Sequence, residues 1–459
     1  MTQQEALNLL MMGKNVYLTG QAGSGKTYIL NLYIQYLKKH KVPVAVTAST
    51  GIAATHLNGG TIHSWSGIGI KSQLTSHDIA KILANETKRA KLQSAKVLFI
   101  DEISMFHSYR LDMVNQICKA ARQDDRPFGG LQVVLCGDFF QLPPINEQGL
   151  ERSGFAYKSD SWKELDLTIC YLNEQHRQLD DSFLKILNDI RSQEVTEYTF
   201  EKLATRLNKE LSGNIIPTKL YTHNADVDGI NNAELEKIDK PVHQYHMATQ
   251  GMKELVEVLK KGCLAPEELL IKEGALVIFI KNNPAKGYIN GTLGKVTGFD
   301  TDGNPIVQTY DGREIIAVPT SWKFEENEKA LAEISQVPLR LAWAITVHKS
   351  QGMSLEAAEI DLSKSFAYGM GYVALSRVKS LEGIRLLGIN PNAFMVDGEV
   401  AKFDEELIKL SHEATRELHQ LEKSKIREMQ EEYLKSIKPK DEEANHESGI
   451  KELFTKFFG

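Results

Sequence analysis

Several things are scarce in this 459-residue sequence. It has only four cysteines, Cys118, Cys136, Cys170 and Cys263, widely spaced and without a C-x-x-C pair. That argues against a disulfide framework or a clustered thiolate zinc site, and it fits a reducing, cytoplasmic compartment. Long apolar runs are missing too. Leu9-Leu10-Met11-Met12 is too short for a signal or a membrane span, and Met1-Thr2-Gln3-Gln4-Glu5 has no basic lead. A soluble protein with no membrane partner is expected. Nor is there an excess of basic charge: 54 Lys and Arg stand against 60 Asp and Glu, a net charge of −6. Bulk attraction to a polyanion is thereby excluded, and any nucleic-acid site must be a local groove of hydrogen-bond donors. No internal repeat is found. The length suggests roughly two to four domains of an ordinary globular kind.

What is present begins with Gly20-Gln21-Ala22-Gly23-Ser24-Gly25-Lys26-Thr27, directly after the apolar run Val16-Tyr17-Leu18. It fits the pattern G-x-x-x-x-G-K-[ST] between a strand and a helix, the latter expected from Thr27 to Leu37. The glycines let the backbone curl so that successive N–H groups face a polyphosphate, and the helix adds its positive end. Gly20, Ala22, Gly23, Ser24 and Gly25 are thus candidate nucleotide-binding positions. Lys26 can reach the β- and γ-phosphates, and the Thr27 hydroxyl can ligate Mg²⁺. The chain is expected to bind a nucleoside triphosphate.

Short β-rich runs alternate with helical periodicity through the first third: Val16–Thr19, Val42–Thr47, Val97–Ile100 and Val133–Cys136. This reads as a parallel α/β sheet, and each run ends in polar residues where such sheets bind ligands. A second α/β unit is expected from about Leu165, with strands near Lys219–Thr222, Leu339–Trp343, Ala358–Asp361 and Ile384–Leu387. Between Leu276 and about Val337 lie short strands with the turn signals Asn290-Gly291, Asp302-Gly303 and Asp311-Gly312, which suggests a small inserted β-barrel. After Glu399 the chain turns Glu/Lys-rich with apolar residues at three-to-four spacing, an amphipathic helical appendage. The expected boundaries are 1–164 for the first unit (with a small insertion around 60–95), 165–275 plus 337–398 for the second, 276–336 for the β insertion and 399–437 for the helices. A polar linker and a short apolar-striped helix follow at 438–459.

Asp101-Glu102 close the run Val97–Ile100. In triphosphate hydrolysis the first carboxylate holds Mg²⁺ and the second deprotonates the attacking water. The plainer alternative is a cap on the helix near Ile103. Gln141, in Gly137-Asp138-Phe139-Phe140-Gln141-Leu142-Pro143-Pro144, carries an amide able to donate to a γ-phosphate and accept from water, with two prolines stiffening its exit. Arg177 and Arg377 are candidate fingers onto the γ-phosphate, although spacing alone equally allows surface ion pairs. Phe139, Phe140, Trp65 and Trp343 lie near these motifs and read first as core aromatics, second as base-stacking platforms.

The set of motifs, in order, resembles the Pif-type (petite integration frequency) DNA helicases of superfamily one, relatives of RecD. It comprises Gly20–Thr27, Thr47–Ala54 with Thr61–Ser64, Asp101–Ser104, Gly137–Pro144, Leu172–Gln178, Thr346–Gly352 and Ala374–Arg377, so the resemblance covers roughly Met1 to Asn390. It implies two RecA-like domains with ATP and Mg²⁺ between them and an SH3-like insertion. The implied activity is 5′-to-3′ movement on single-stranded DNA with unwinding of forked duplex or structured DNA, as in repair, recombination and telomere maintenance. By the resemblance Lys26 and Thr27 bind phosphates and Mg²⁺, Asp101 holds Mg²⁺, Glu102 activates water and Gln141 senses the γ-phosphate. Arg177 and Arg377 are the fingers, and Gln351 and Gly352 lie near the nucleotide. Gln4 approximates the adenine-reading glutamine. Thr50, Gly51, His63 and His348 fall in DNA-facing segments, and Asn282 and Asn290-Gly291 in the insertion's signature turns. His176 stands where the family has Phe. Other outcomes are a translocase or ATP-gated clamp without strong unwinding, or a RecD-like subunit of a nuclease complex. A monomer is expected. The stripe Ile450, Leu453, Phe454, Phe457 and Phe458 can dock on a replication or repair protein or fold back on the motor.

Overall fold

The computed structural model describes residues 1–69, 71–144, 154–174, 180–211, 216–221, 227–326, 329–347, 349–350, 352–363, 365 and 368–439. Arg177, His176, His348, Gln351 and the stripe from Ile450 to Phe458 lie outside the described residues.

Strands β1 (Val16–Gly20), β2 (Val44–Ala48), β3 (Gly60–Thr61), β4 (Val97–Asp101), β5 (Gln132–Cys136) and β6 (Thr168–Leu172) form one parallel sheet in the order β3-β2-β4-β5-β1-β6. β1, β4 and β5 are buried along their whole length, as expected when helices cover both faces. Strand alternation sorts their side chains into two cores. Val16, Leu18, Phe99 and Val134 join one with Leu10, Leu30 and Tyr33, while Tyr17, Leu98, Ile100 and Leu135 join the other with Leu111 and Ile117. Parallel strands open their carboxyl ends toward one edge. The phosphate loop after β1, the acidic pair at the end of β4 and the Gly137–Gln141 turn after β5 therefore share that edge.

The expected break at 164/165 is not where the first sheet ends. β6 pairs with β1 from Val16↔Thr168 to Gly20↔Leu172, so it is the sixth strand of the first sheet. An apolar run such as Thr168–Leu172 reads the same whichever parallel sheet it completes, because parallel pairing is never local in sequence.

A second parallel sheet holds Ala344–Thr346, Thr218–Tyr221, Ala358–Leu362 and Ile384–Ile389, in that order. Leu339–Leu341, expected here, instead pairs antiparallel with Leu276–Phe279. It closes a five-stranded antiparallel sheet with Leu293–Phe299, Pro305–Thr309 and Glu314–Ile316. The Asp302-Gly303 and Asp311-Gly312 turns join its hairpins, with positive φ of 80° and 84° at the glycines. The inserted region is also larger than 276–336. Val242–His246 pairs with Glu268–Lys272, and Ala248–Gly251 pairs with Lys329–Gln336.

The helices Gly398–Gln420 and Lys423–Ile437 are not a free-standing appendage. Leu418 and Ile437 are buried in the same core as Leu10 and Phe99, and the Tyr433 hydroxyl donates to Gln132 Oε1 at 3.0 Å. Phe403 stacks on Tyr157 with ring centroids 4.1 Å apart, beside Phe139 and Trp162. Their apolar stripe is covered by the first sheet's own helices and strands.

Candidate active site

The phosphate loop follows directly from its glycines. Gly20, Gly23 and Gly25 have φ of 139°, 91° and 86°, conformations that L side chains rarely adopt. A Cβ on Gly20 would lie 2.6 Å from the Leu172 carbonyl oxygen, so the turn also needs glycine for space. Lys26 begins the helix Lys26–Lys39, and its Nζ donates to the Gly20 and Gln21 carbonyls at 2.8 and 2.9 Å. Burial lowers the affinity of that ammonium for its proton. The Ser24 hydroxyl is buried with no hydrogen-bond partner among the described residues.

At the end of β4 the backbone is strained. Glu102 sits at φ 53°, ψ 45°, a left-handed conformation costing a bulky residue on the order of 1–3 kcal/mol. It is held there by Ser49, whose hydroxyl donates to the Glu102 carbonyl at 2.7 Å, and by the Glu102 N–H, which donates to Asp101 Oδ1 at 2.8 Å. Burial, and then the neighbouring Asp101 charge, push the Glu102 carboxyl up to about 7, while burial also raises Asp101. Two carboxylates in one desolvated corner thus bind protons more tightly than free ones, which suits a base working near neutral pH.

Gln141 comes from the turn after β5. Its Nε2 donates to Asp138 Oδ2 at 3.3 Å, which leaves Oε1 to accept from Arg377 Nη2 at 3.3 Å. Arg377 is 1% exposed and also donates from Nε to the Val373 carbonyl at 3.1 Å. It follows the helix Met370–Leu375 of the second sheet's layer, so a surface ion pair is not its fate. Burial lowers its guanidinium's proton affinity, opposed by the Glu102 carboxylate. The two α/β units therefore meet at Gln141 and Arg377. Tyr372 crosses the same seam, its hydroxyl accepting from the Ala22 N–H at 3.4 Å.

Of the two glutamines at the chain's start, Gln4 bonds Asn8 on the exposed side of its helix. Gln3 faces the loop instead, its Nε2 donating to the Ser24 carbonyl at 3.1 Å. The signal was available in the helix phase, because the Thr2/Glu5 capping box makes Gln3 the first helical residue. Arg191 was missed altogether. It ends the helix Asp181–Arg191 and bonds Asp138 inside the seam, and no spacing rule marks it.

The candidate nucleic-acid positions come from several elements. Thr50 caps the helix Gly51–His56 by accepting from Ala53 N–H at 3.2 Å, and Gly262 of the inserted region packs against Gly51. His63 Nε2 lies 3.1 Å from Arg110 Nη1. Asn282 is placed as a turn organiser, its Oδ1 accepting from Asn290 N–H at 2.8 Å. Gly291 is pinned, since a Cβ there would lie 2.5 Å from the Ser354 carbonyl oxygen, near Gly352 (φ 75°). Phe139 packs edge-on against Trp162, Phe155 and Tyr157.

The donors fit a triphosphate with Mg²⁺. The loop offers an orphan hydroxyl, an ammonium and a left-handed glycine cradle, and Mg²⁺ needs only one or two protein oxygens when phosphates and water complete its shell. Thr27 and Asp101 are the chain's candidates for those. Among the described residues no three His, Cys, Asp or Glu groups form a preformed metal cage.

Residues 3–203 match the family model described as PIF1-like helicase, and residues 254–299 match that of the DNA helicase Pif1 2B domain. Over 95% of its length the chain is 44% identical to the ATP-dependent DNA helicase Pif1 of Psychrobacter sp. (strain PRwf-1), covering 75% of that protein. It spans 64% of the longer Xenopus laevis ATP-dependent DNA helicase PIF1. Among solved structures it superposes on Bacteroides sp Pif1 in complex with ADP-AlF4 with a TM-score of 0.78 at 31% identity, over 89% of this chain and 96% of that one. For Bacteroides Pif1 bound to ssDNA the TM-score is 0.61 at 32% identity, over the same shares.

Proposed function

The chain belongs to the PIF1-like helicase family, and from that premise we propose that it is an ATP-dependent DNA helicase working 5′-to-3′ on single-stranded DNA. The observation that carries this reading is the seam. Gln141, from the turn after β5, and Arg377 of the second unit share a hydrogen bond beside the phosphate loop and Glu102, so both units border one nucleotide site.

Bound ATP with Mg²⁺ supplies the scissile phosphoanhydride. Lys26 and the loop N–H groups hold its phosphates, with Thr27 and Asp101 as Mg²⁺ ligands. Gln3 reads the adenine edge. Glu102 takes a proton from the attacking water, Gln141 orients that water, and Arg377, with Arg177, stabilises charge on the terminal phosphate. Because the arginine contacts exist only when the units are together, ATP favours a closed seam and its cleavage a looser one. That alternation moves DNA held by the Thr50, Gly51, His63, Asn282 and His348 segments through hydrogen bonds to phosphates, a sequence-independent grip. The two parallel sheets are RecA-like domains and the five-stranded sheet an SH3-like fold in this reading. Single-stranded and forked DNA are the partners, in line with solved structures of Bacteroides Pif1 bound to ssDNA and of two coordinating Pif1 helicases at forked dsDNA.

The test is strand displacement on duplexes carrying a 5′ or a 3′ tail. Unwinding of the 5′-tailed substrate alone is expected. ATP hydrolysis without displacement would make the chain a translocase or clamp, and displacement from the 3′ tail would reverse the direction.

A further inference from the structure

Arg191 lies outside every motif that the sequence offers, yet it is the most heavily bonded side chain at the seam. It is 4% exposed. Its Nη1 donates to both oxygens of Asp138 at 2.9 Å and to the Tyr372 hydroxyl at 3.2 Å. Its Nη2 donates to the Tyr171 hydroxyl at 3.0 Å and to Asp404 Oδ1 at 3.1 Å. The guanidinium carbon stands 4.1 Å from the centre of the Phe140 ring. These partners come from the turn after β5, from β6, from the helix leading to Arg377 and from the C-terminal helix.

Two of them lead to the chemistry. Asp138 accepts from Gln141 Nε2 and from the Phe140 N–H, so its carboxylate fixes which way the Gln141 amide points. An amide turned the other way would set an N–H₂ against Arg377, a donor facing a donor. Tyr372 sits one turn before Arg377 and touches the phosphate loop through Ala22. Buried charge of this kind is costly unless paired, and here both terminal nitrogens of one cation are matched by two carboxylates and two hydroxyls, while Nε has no hydrogen-bond partner among the described residues.

We propose that Arg191 is a positioning residue for ATP hydrolysis, locking Asp138 and thereby Gln141 on one side of the seam while gripping the Arg377 helix through Tyr372 on the other. It rests on the reading of Gln141 as the group facing the terminal phosphate. Lysine, with a point charge and no planar fork, cannot hold Asp138, Tyr372, Tyr171 and Asp404 together.

DNA-stimulated ATP hydrolysis by the full chain tests this. Arg191→Lys should lower kcat by about 10²-fold, the cost of small misplacement, with KM for ATP within about twofold. In the Gln141→Ala background the same substitution should cost far less, about threefold to tenfold, since only its grip on the Arg377 helix through Tyr372 is left to lose. If Arg191→Lys multiplies its full factor onto Gln141→Ala, or acts through KM, the positioning role is overturned while the site reading stands. If Gln141→Ala alone leaves kcat unchanged, the site reading fails first. Should Arg191→Lys not fold, Asp404→Asn, which removes an outer anchor and leaves Arg191 in place, carries the same cycle. A milder loss of about fivefold that shrinks to about twofold or less in Gln141→Ala is expected, and additivity refutes the proposal.

Discussion

The phosphate-loop corner and the inter-unit seam hold the same nucleotide site by different means. At the corner, a strand, eight consecutive residues and a helix suffice, and the glycine φ values and the Lys26 position follow from local chemistry. At the seam, Gln141, Arg191, Tyr372 and Arg377 come from three segments, with Gln141 and Arg377 236 residues apart, and are held by paired buried charge. In the proposed reading the corner binds, and the seam responds to what is bound. A site split in this way lets cleavage of one bond change the contact between two bodies.

That contrast can be broken by substitution. Lys26→Ala should abolish hydrolysis, a loss of at least about 10³-fold, together with weakened binding of a fluorescent ATP analogue. Near-normal binding would remove the corner's role as anchor. Glu102→Gln should lower turnover by about 10²–10⁴-fold while ATP and DNA binding persist, read by filter binding beside steady-state rates. Arg377→Lys should bind ATP but lose about 10²-fold of DNA-stimulated turnover, because charge without the fork is retained. If it weakened ATP binding instead, seam and corner would not differ in kind.

Proton linkage sharpens the comparison further. Glu102 must be ionised to act as base, and its carboxyl is pushed up to about 7 by burial and by Asp101. Turnover should therefore fall about tenfold per pH unit below neutrality and level off above it, in a kcat profile at saturating ATP. A flat profile from pH 6 to 8 would count against a carboxylate base. The smallest effect is expected at the chain's start. Gln3→Ala should raise KM for ATP about threefold to tenfold with kcat retained, whereas Gln4→Ala should do nothing measurable in the same assay.

Much of this was legible beforehand. The phosphate loop, Asp101-Glu102 and the Gly137–Gln141 turn fell where expected because each ends a strand whose apolar run is unmistakable. Turn glycines such as Gly303 and Gly312 also announced their hairpins. Legibility failed where pairing is remote. β6 joins the first sheet, Leu339–Leu341 joins the antiparallel one, and the inserted region begins near Val242. The C-terminal helices showed an apolar stripe but not what would cover it. Arg191 gave no sign at all, since an arginine at a helix end is usually solvated.

By itself, then, the sequence determined the class of ligand and the kind of sheet that carries it, because backbone curvature, strand burial and helix phase are short-range properties. Only the tertiary structure decided which arginine is buried at the seam, which glutamine faces the loop and what Arg191 holds. Those outcomes depend on how distant segments desolvate one another, and desolvation is set by the assembled fold, not by neighbours along the chain.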